Sequence, residues 1–249
     1  MNTTLTPRAT GAVTTRVLTQ LRRDHRTVAM LLVLPCALMS LLWWMFDELP
    51  GEGFSALGPA LLALIPFIIM FLVTSVTTLR ERTSGTLERL LAMPMGKLDF
   101  LLGYAVAFGL VAAVQSALAV GVCVWLLDLT IVGEVWMLMV VAVMDALLGT
   151  ALGLFTSAFA RTEFQAVQFM PAVVIPQILL CGLFVPRDQL PPVLEAISDV
   201  LPLSYAVDAM QAVASSTATG DVWRDIAVVA AFVVAGLALG ALTLRRQTD

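Results

Sequence analysis

Apolar and polar positions fall in long blocks along this chain, without the short alternation of a half-buried strand or the narrow stripe of a soluble helix. Six apolar runs, at about 28–46, 56–79, 98–127, 135–159, 166–184 and 223–244, are separated by islands of charge. Each is long enough to cross a hydrocarbon layer of about 30 Å at about 1.5 Å rise per residue, so the pattern predicts an all-α integral membrane fold with six transmembrane helices. The third run exceeds a perpendicular crossing and predicts a helix that tilts or protrudes. Pro171 and Pro176 predict a kink in the fifth.

Composition agrees. Of 249 residues, 59% are hydrophobic and 13% charged, against roughly 25% charged in soluble domains, which excludes a soluble enzyme. The polar, arginine-bearing stretch before the first run is too long for a signal peptide, so that run is expected to remain in the mature protein. Cys36, Cys123 and Cys181 fall inside predicted spans, as small packing residues do. No repeat and no linker divide the chain, and a single transmembrane domain over 1–249 is expected.

Charge sets the orientation. Of the 14 basic residues, only Arg187 and Arg224 fall on one side of the predicted spans, where the loops carry Asp47, Glu48, Glu52, Asp128, Glu134, Asp188, Glu195, Asp199, Asp208, Asp221 and Asp225. The positive-inside rule places both termini in the cytoplasm of an inner cell membrane. Trp43, Trp44, Trp125, Trp136 and Trp223 sit near predicted outer ends, as an interfacial aromatic belt does.

Three segments outside the spans carry information. Within the cytoplasmic region 1–27, Val13, Val17, Leu18 and Leu21 share one face of a helix and Arg16, Arg22, Arg23 and Arg26 the other, predicting an interfacial helix over 13–26 beside anionic headgroups. An elbow helix feeding the first span fits this pattern, whether it lies at the interface for a further purpose or serves only as a topology anchor. The loop 80–97 predicts a short cytoplasmic helix: Gly85 suits an N-cap, Glu88 favours the positive end, and Pro94 stops the helix. Leu87, Leu90 and Leu91 form its apolar stripe, with Arg80, Glu81, Arg82, Glu88 and Arg89 around it. That surface suits either a partner's groove or the bilayer surface. The outer segment 185–222 holds apolar helical runs too short to span, which predicts re-entrant pieces forming a lid or an ordinary packed hairpin.

Asp145 is the one acid deep in a span. It is expected to face either the transport path or a helix contact, for example to Gln115 or Ser116. Gly149 with Gly153, and Gly236 with Gly240, are small-residue pairs that permit close helix contact. The chain has no GxxxxGK[ST] loop and no metal-ligand cluster, and its sole histidine is His25. No catalytic constellation and no nucleic-acid patch are found.

Together, the loop Glu81–Pro94, which follows E-R-x-x-G-T-x-E-x-L-x-x-x-P, the segment Cys181-Gly182-Leu183-Phe184-Val185-Pro186 with Leu190-Pro191, and Leu201-Pro202-Leu203-Ser204-Tyr205-Ala206-Val207-Asp208-Ala209 resemble one family. It is the type-2 ABC exporter permeases, in the daunorubicin-resistance-like drug-efflux branch. The likeness covers nearly the whole chain. Met210 and Cys181 depart from it, where the family often has Arg and Ser.

The resemblance implies that Arg80, Glu81, Arg82, Gly85, Thr86, Leu87, Glu88, Leu91 and Pro94 form a coupling helix docking on a separate ABC ATPase, which binds ATP and magnesium while this chain carries no cofactor. It implies that 185–222 is an external gate with Pro186, Pro202, Tyr205 and Asp208, and that two permease chains, copies or paralogues, pair in the lipid membrane. The expected function is outward movement of a hydrophobic or amphipathic compound, a drug, lipid or glycoconjugate. The rival readings are an ion-coupled secondary transporter and a non-transporting scaffold.

Overall fold

The computed structural model describes residues 7–47, 53–83 and 97–243. All regular elements among them are helical: α1 (Pro7–Arg23), α2 (His25–Asp47), α3 (Phe54–Thr83), α4 (Lys97–Gly121), α5 (Val135–Ser157), α6 (Glu163–Leu180), α7 (Pro192–Ser198), α8 (Pro202–Ser215) and α9 (Gly220–Thr243). A π-helical turn, Val122–Leu126, closes α4. Six of these, α2 to α6 and α9, are long and apolar enough to cross a membrane.

The third run ends by widening rather than by simply protruding. In the π turn the Leu127 N–H donates to the Val122 carbonyl, and the chain then reverses at Asp128 with φ +49°. Local chemistry sets other boundaries. Asp24 caps α2, accepting the Thr27 N–H at 3.2 Å and the Thr27 hydroxyl at 2.7 Å. Thr162 caps α6 by accepting the Gln165 N–H, while the Gln165 side chain accepts the Arg161 N–H at 2.8 Å, a reciprocal arrangement close to a capping box. Proline opens both α7 and α8.

The hub is α5, which packs on α3, α9, α4 and α8. Its contact with α3 is backbone to backbone. A Cβ at Gly149 would stand 2.5 Å from the Phe67 carbonyl oxygen, and one at Gly153 would stand 2.6 Å from that of Phe71. The two helices therefore run parallel in close approach, as small residues permit when lipid supplies no hydrophobic drive between helices. Gly236 meets Ala151 of α5 in the same way, more loosely. Both glycine pairs thus serve packing within the chain.

The amphipathic N-terminal helix is longer at its start than the apolar pattern predicts, and it ends at Arg23, where Asp24 begins capping α2. Its apolar face, Val13, Thr14, Val17 and Leu21, lies on the bundle. Gly103 of α4 leaves the space that Val13 fills, and the Thr14 hydroxyl donates to the Gly103 carbonyl at 3.1 Å. In contrast, α6 is lightly packed: of its residues only Ala166, Val174 and Gln177 are buried.

Candidate functional site

Polar side chains gather at the two ends of the bundle. At the α1 end, Glu81 in the last turn of α3 is 5% exposed. It accepts from Arg16 Nη2 at 2.9 Å and from Gln20 Nε2 at 2.7 Å, both on α1. Its neighbour Arg80 points elsewhere, donating from Nε and Nη2 to the two Glu163 oxygens at 3.0 and 3.2 Å. On the far side of the loop, Asp99 in the first turn of α4 is 1% exposed and accepts the Thr10 hydroxyl at 3.2 Å. Both flanks of the 84–96 segment are therefore held by one helix, α1, and one flank is also tied to α6. Gln20, Asp24, Arg80, Glu81 and Tyr104 line a small cavity beneath α1 together with the apolar Val17, Leu21 and Phe108. Gly85, Thr86, Leu87, Glu88, Leu91 and Pro94 lie outside the described residues, as does the side chain of Arg82.

At the opposite end, α8 is inserted among α9, α3 and α5, burying Pro202, Leu203, Ser204, Ala206, Val207, Ala209, Met210 and Val213. The short, apolar α7 is left exposed apart from Ser198. Arg187 joins the two helices. Its guanidinium pairs with Asp208 of α8 and with Asp199 at the end of α7, and stands 5.1 Å from the centre of the Tyr205 ring. The Tyr205 hydroxyl donates to the Asp199 carbonyl at 2.7 Å. Burial pushes the Asp208 carboxyl above its usual range against the opposing pull of Arg187. Pro186 is exposed beside this group, and Pro202 opens α8.

Sequence reasoning singled out Tyr205 and Asp208 but passed over Arg187, whose signal was its rarity, a cation among many acids. Met210 is fully buried, and the cation paired with Asp208 is Arg187. Arg16, Gln20 and Thr10 were also missed as partners. Glu81 and Asp99, acids at the very ends of apolar runs, were the clue to them.

Asp145 sits between the two ends, 0% exposed on α5, and neither carboxylate oxygen has a hydrogen-bond partner. The helix contact expected for it does not form. The Ser116 hydroxyl donates to the Ala142 carbonyl at 3.0 Å, and the Gln115 amide is itself buried without a partner. The arrangement resembles no hydrolytic site, and among the described residues no group of three or more His, Cys, Asp or Glu side chains could hold a metal.

Comparison with known proteins bears on both ends. The family model described as ABC-2 type transporter matches residues 8–214, from α1 through α8. The chain is 28% identical over 169 residues to the probable multidrug ABC transporter permease YbhR of Escherichia coli (strain K12), covering 68% of this chain and 46% of that protein. It is 27% identical over 147 residues to the inner membrane transport permease YhhJ of the same organism, covering 59% and 39%. With ABC transporter G family member 20 of Dictyostelium discoideum it shares 27% over 155 residues, covering 62% and 21%. The matched stretches span less than half the length of each relative. With the family model covering well over half of it, this multi-pass membrane chain belongs to the ABC-2 type transporter family.

Proposed function

We propose that this chain is the permease of an ATP-driven exporter, a single transmembrane domain in the daunorubicin-resistance-like branch that moves a hydrophobic or amphipathic compound outward. Two such chains pair in the membrane. A separate ATPase subunit holds ATP and magnesium, and the α1 end with both termini faces the cytoplasm. Arg80, Glu81, Arg82 and the segment Gly85 to Pro94 form the coupling element, while Asp145, Pro186, Pro202, Tyr205 and Asp208 belong to the path and its outer gate.

The observation that carries this reading is the clamping of both flanks of the 84–96 segment, at Glu81 and Asp99, onto α1. A loop held in this way passes a push to α1, α3 and α4 together, and through Arg80 and Glu163 to α6. Closure of the ATPase on nucleotide then biases the bundle from one access state to the other by differential binding. Export from proteoliposomes carrying this chain with its ATPase tests the reading. The expected result is accumulation of substrate on the outer side that requires ATP and both subunits. Transport driven by an ion gradient without the ATPase would instead identify a secondary transporter.

A further inference from the structure

The permease reading says nothing of what keeps the outer end shut. From the geometry we infer that Arg187 is a latch, holding an arm made of α7 and the segment that joins it to α6 closed against α8. The purpose of such an arm rests on the permease reading. The latch itself is a property of the outer segment and is tested without transport.

Apolar attachment runs along α6 and stops at α7. At the α1 end, Ala166 packs in an apolar cluster with Leu79 and Ala160, flanked by Val76 and Phe169, and Glu163 is paired with Arg80. Along α6 the attachment stays apolar toward the outer end, where Val174 and Cys181 are buried in the main core with Leu203 and Val207, and Ile178 and Leu183 pack against it. Toward α7 the links to α8 are polar. The Leu203 N–H donates to Gln177 Oε1 at 3.3 Å, the Ser198 and Ser204 hydroxyls lie 3.1 Å apart, and Tyr205 bonds the Asp199 carbonyl. No apolar packing of α7 supports these links, since Val193, Ile197 and Val200 are exposed. Polar links exchange with water at small net cost, whereas apolar contacts do not, so α7 with the segment before it, and not α6, is the part that opens.

Its counterpart is fixed: α8 is buried on three neighbours. Arg187 supplies the charged link between the two sides, bonding Asp199 of the arm and Asp208 of α8 while covering Tyr205. A planar guanidinium can serve two carboxylates and an aromatic face together, which an ammonium cannot. The arm also has a pivot next to the latch. Gly182, just beyond α6, has φ +89°, a conformation glycine adopts without strain. A side chain there would approach Arg187 Cγ at 3.5 Å and Asp208 Oδ1 at 3.8 Å. Behind the latch, Cys181 is fully buried and serves as a natural reporter.

The test uses the full chain in lipid nanodiscs, with Cys36 and Cys123 replaced by serine so that Cys181 is the one thiol, and a membrane-impermeant maleimide as the probe. Parent protein should label slowly. Arg187→Ala and Asp208→Ala should each label about tenfold faster, as the loss of a charge-assisted bond allows, and Arg187→Lys should fall between. The double variant should be no faster than the faster single, because both remove one latch. Unchanged labelling in Arg187→Ala, or strictly additive acceleration in the double variant, overturns the latch. So does equal acceleration at Cys123 in a matching background, which would report a loosened bundle. Labelling needs neither ATPase nor substrate, so fast labelling without export would leave the latch standing and count against the permease reading alone.

Discussion

The Arg16 guanidinium meets the Glu81 carboxylate at 2.9 Å, joining positions 65 residues apart and fixing α1 to the last turn of α3. The two partners are unequal, with side chains 33% and 5% exposed. Removing Arg16 deprives a buried carboxylate of its cation on α1, whereas removing Glu81 leaves an arginine that can turn toward water. Arg16→Ala should therefore cost more than Glu81→Gln, by about 1–3 kcal/mol. Thermal unfolding in detergent should show the larger fall in midpoint for the arginine variant.

Glycine substitutions along α5 and α9 should separate by distance. At Gly149 and Gly153 an added methyl meets a backbone carbonyl below 3 Å, while at Gly240 the nearest atom is 3.9 Å away. Alanine at either α5 position should cost about 1–3 kcal/mol through overpacking, and Gly240→Ala should be neutral or gain up to about 1 kcal/mol from helix propensity. Midpoints measured side by side give the ranking.

Much of this fold was legible because a bilayer demands long apolar runs, and all six predicted spans match observed helices. The α1 face was legible too, but not its destination. Period alone shows that Val13, Val17 and Leu21 share a face, whereas the gap at Gly103 that receives Val13 belongs to another helix. Likewise Asp208 stood out in a motif, while Arg187 lies 21 residues before it, a separation no local pattern bridges. Asp145 was visible as an acid in a span, and only packing reveals that neither oxygen is bonded.

Asp24 gives a pH dependence with a definite sign. Its carboxyl is held below the usual range by bonds from the Thr27 hydroxyl and N–H. A depressed folded-state pKa contributes stability that is present above the unfolded value, about 3.9, and is lost as pH falls through the lower folded value. Asp24→Ala should cost about 1 kcal/mol at neutral pH. The gap between variant and parent midpoints should shrink once the pH drops below about 4.

Asp145 distinguishes stability from function. Because its oxygens bond nothing, Asp145→Leu removes a buried polar group without orphaning a partner and should leave the unfolding midpoint unchanged or raised. If Asp145 belongs to the path, export should fall at the same time. A lowered midpoint with normal export would make it a structural residue.

The central claim, that the 84–96 segment receives the ATPase, is tested most directly by one substitution outside the hydrocarbon. Glu88→Lys places a cation at the end that the sequence predicts to be the positive end of a short helix, and against the proposed partner's groove, and should leave the chain inserted at parental levels. Co-purification of the ATPase subunit with parent and variant, scored with ATP-dependent export from the same preparations, is the measurement. The account predicts that both fall together in Glu88→Lys. Parental co-purification together with parental export would contradict it.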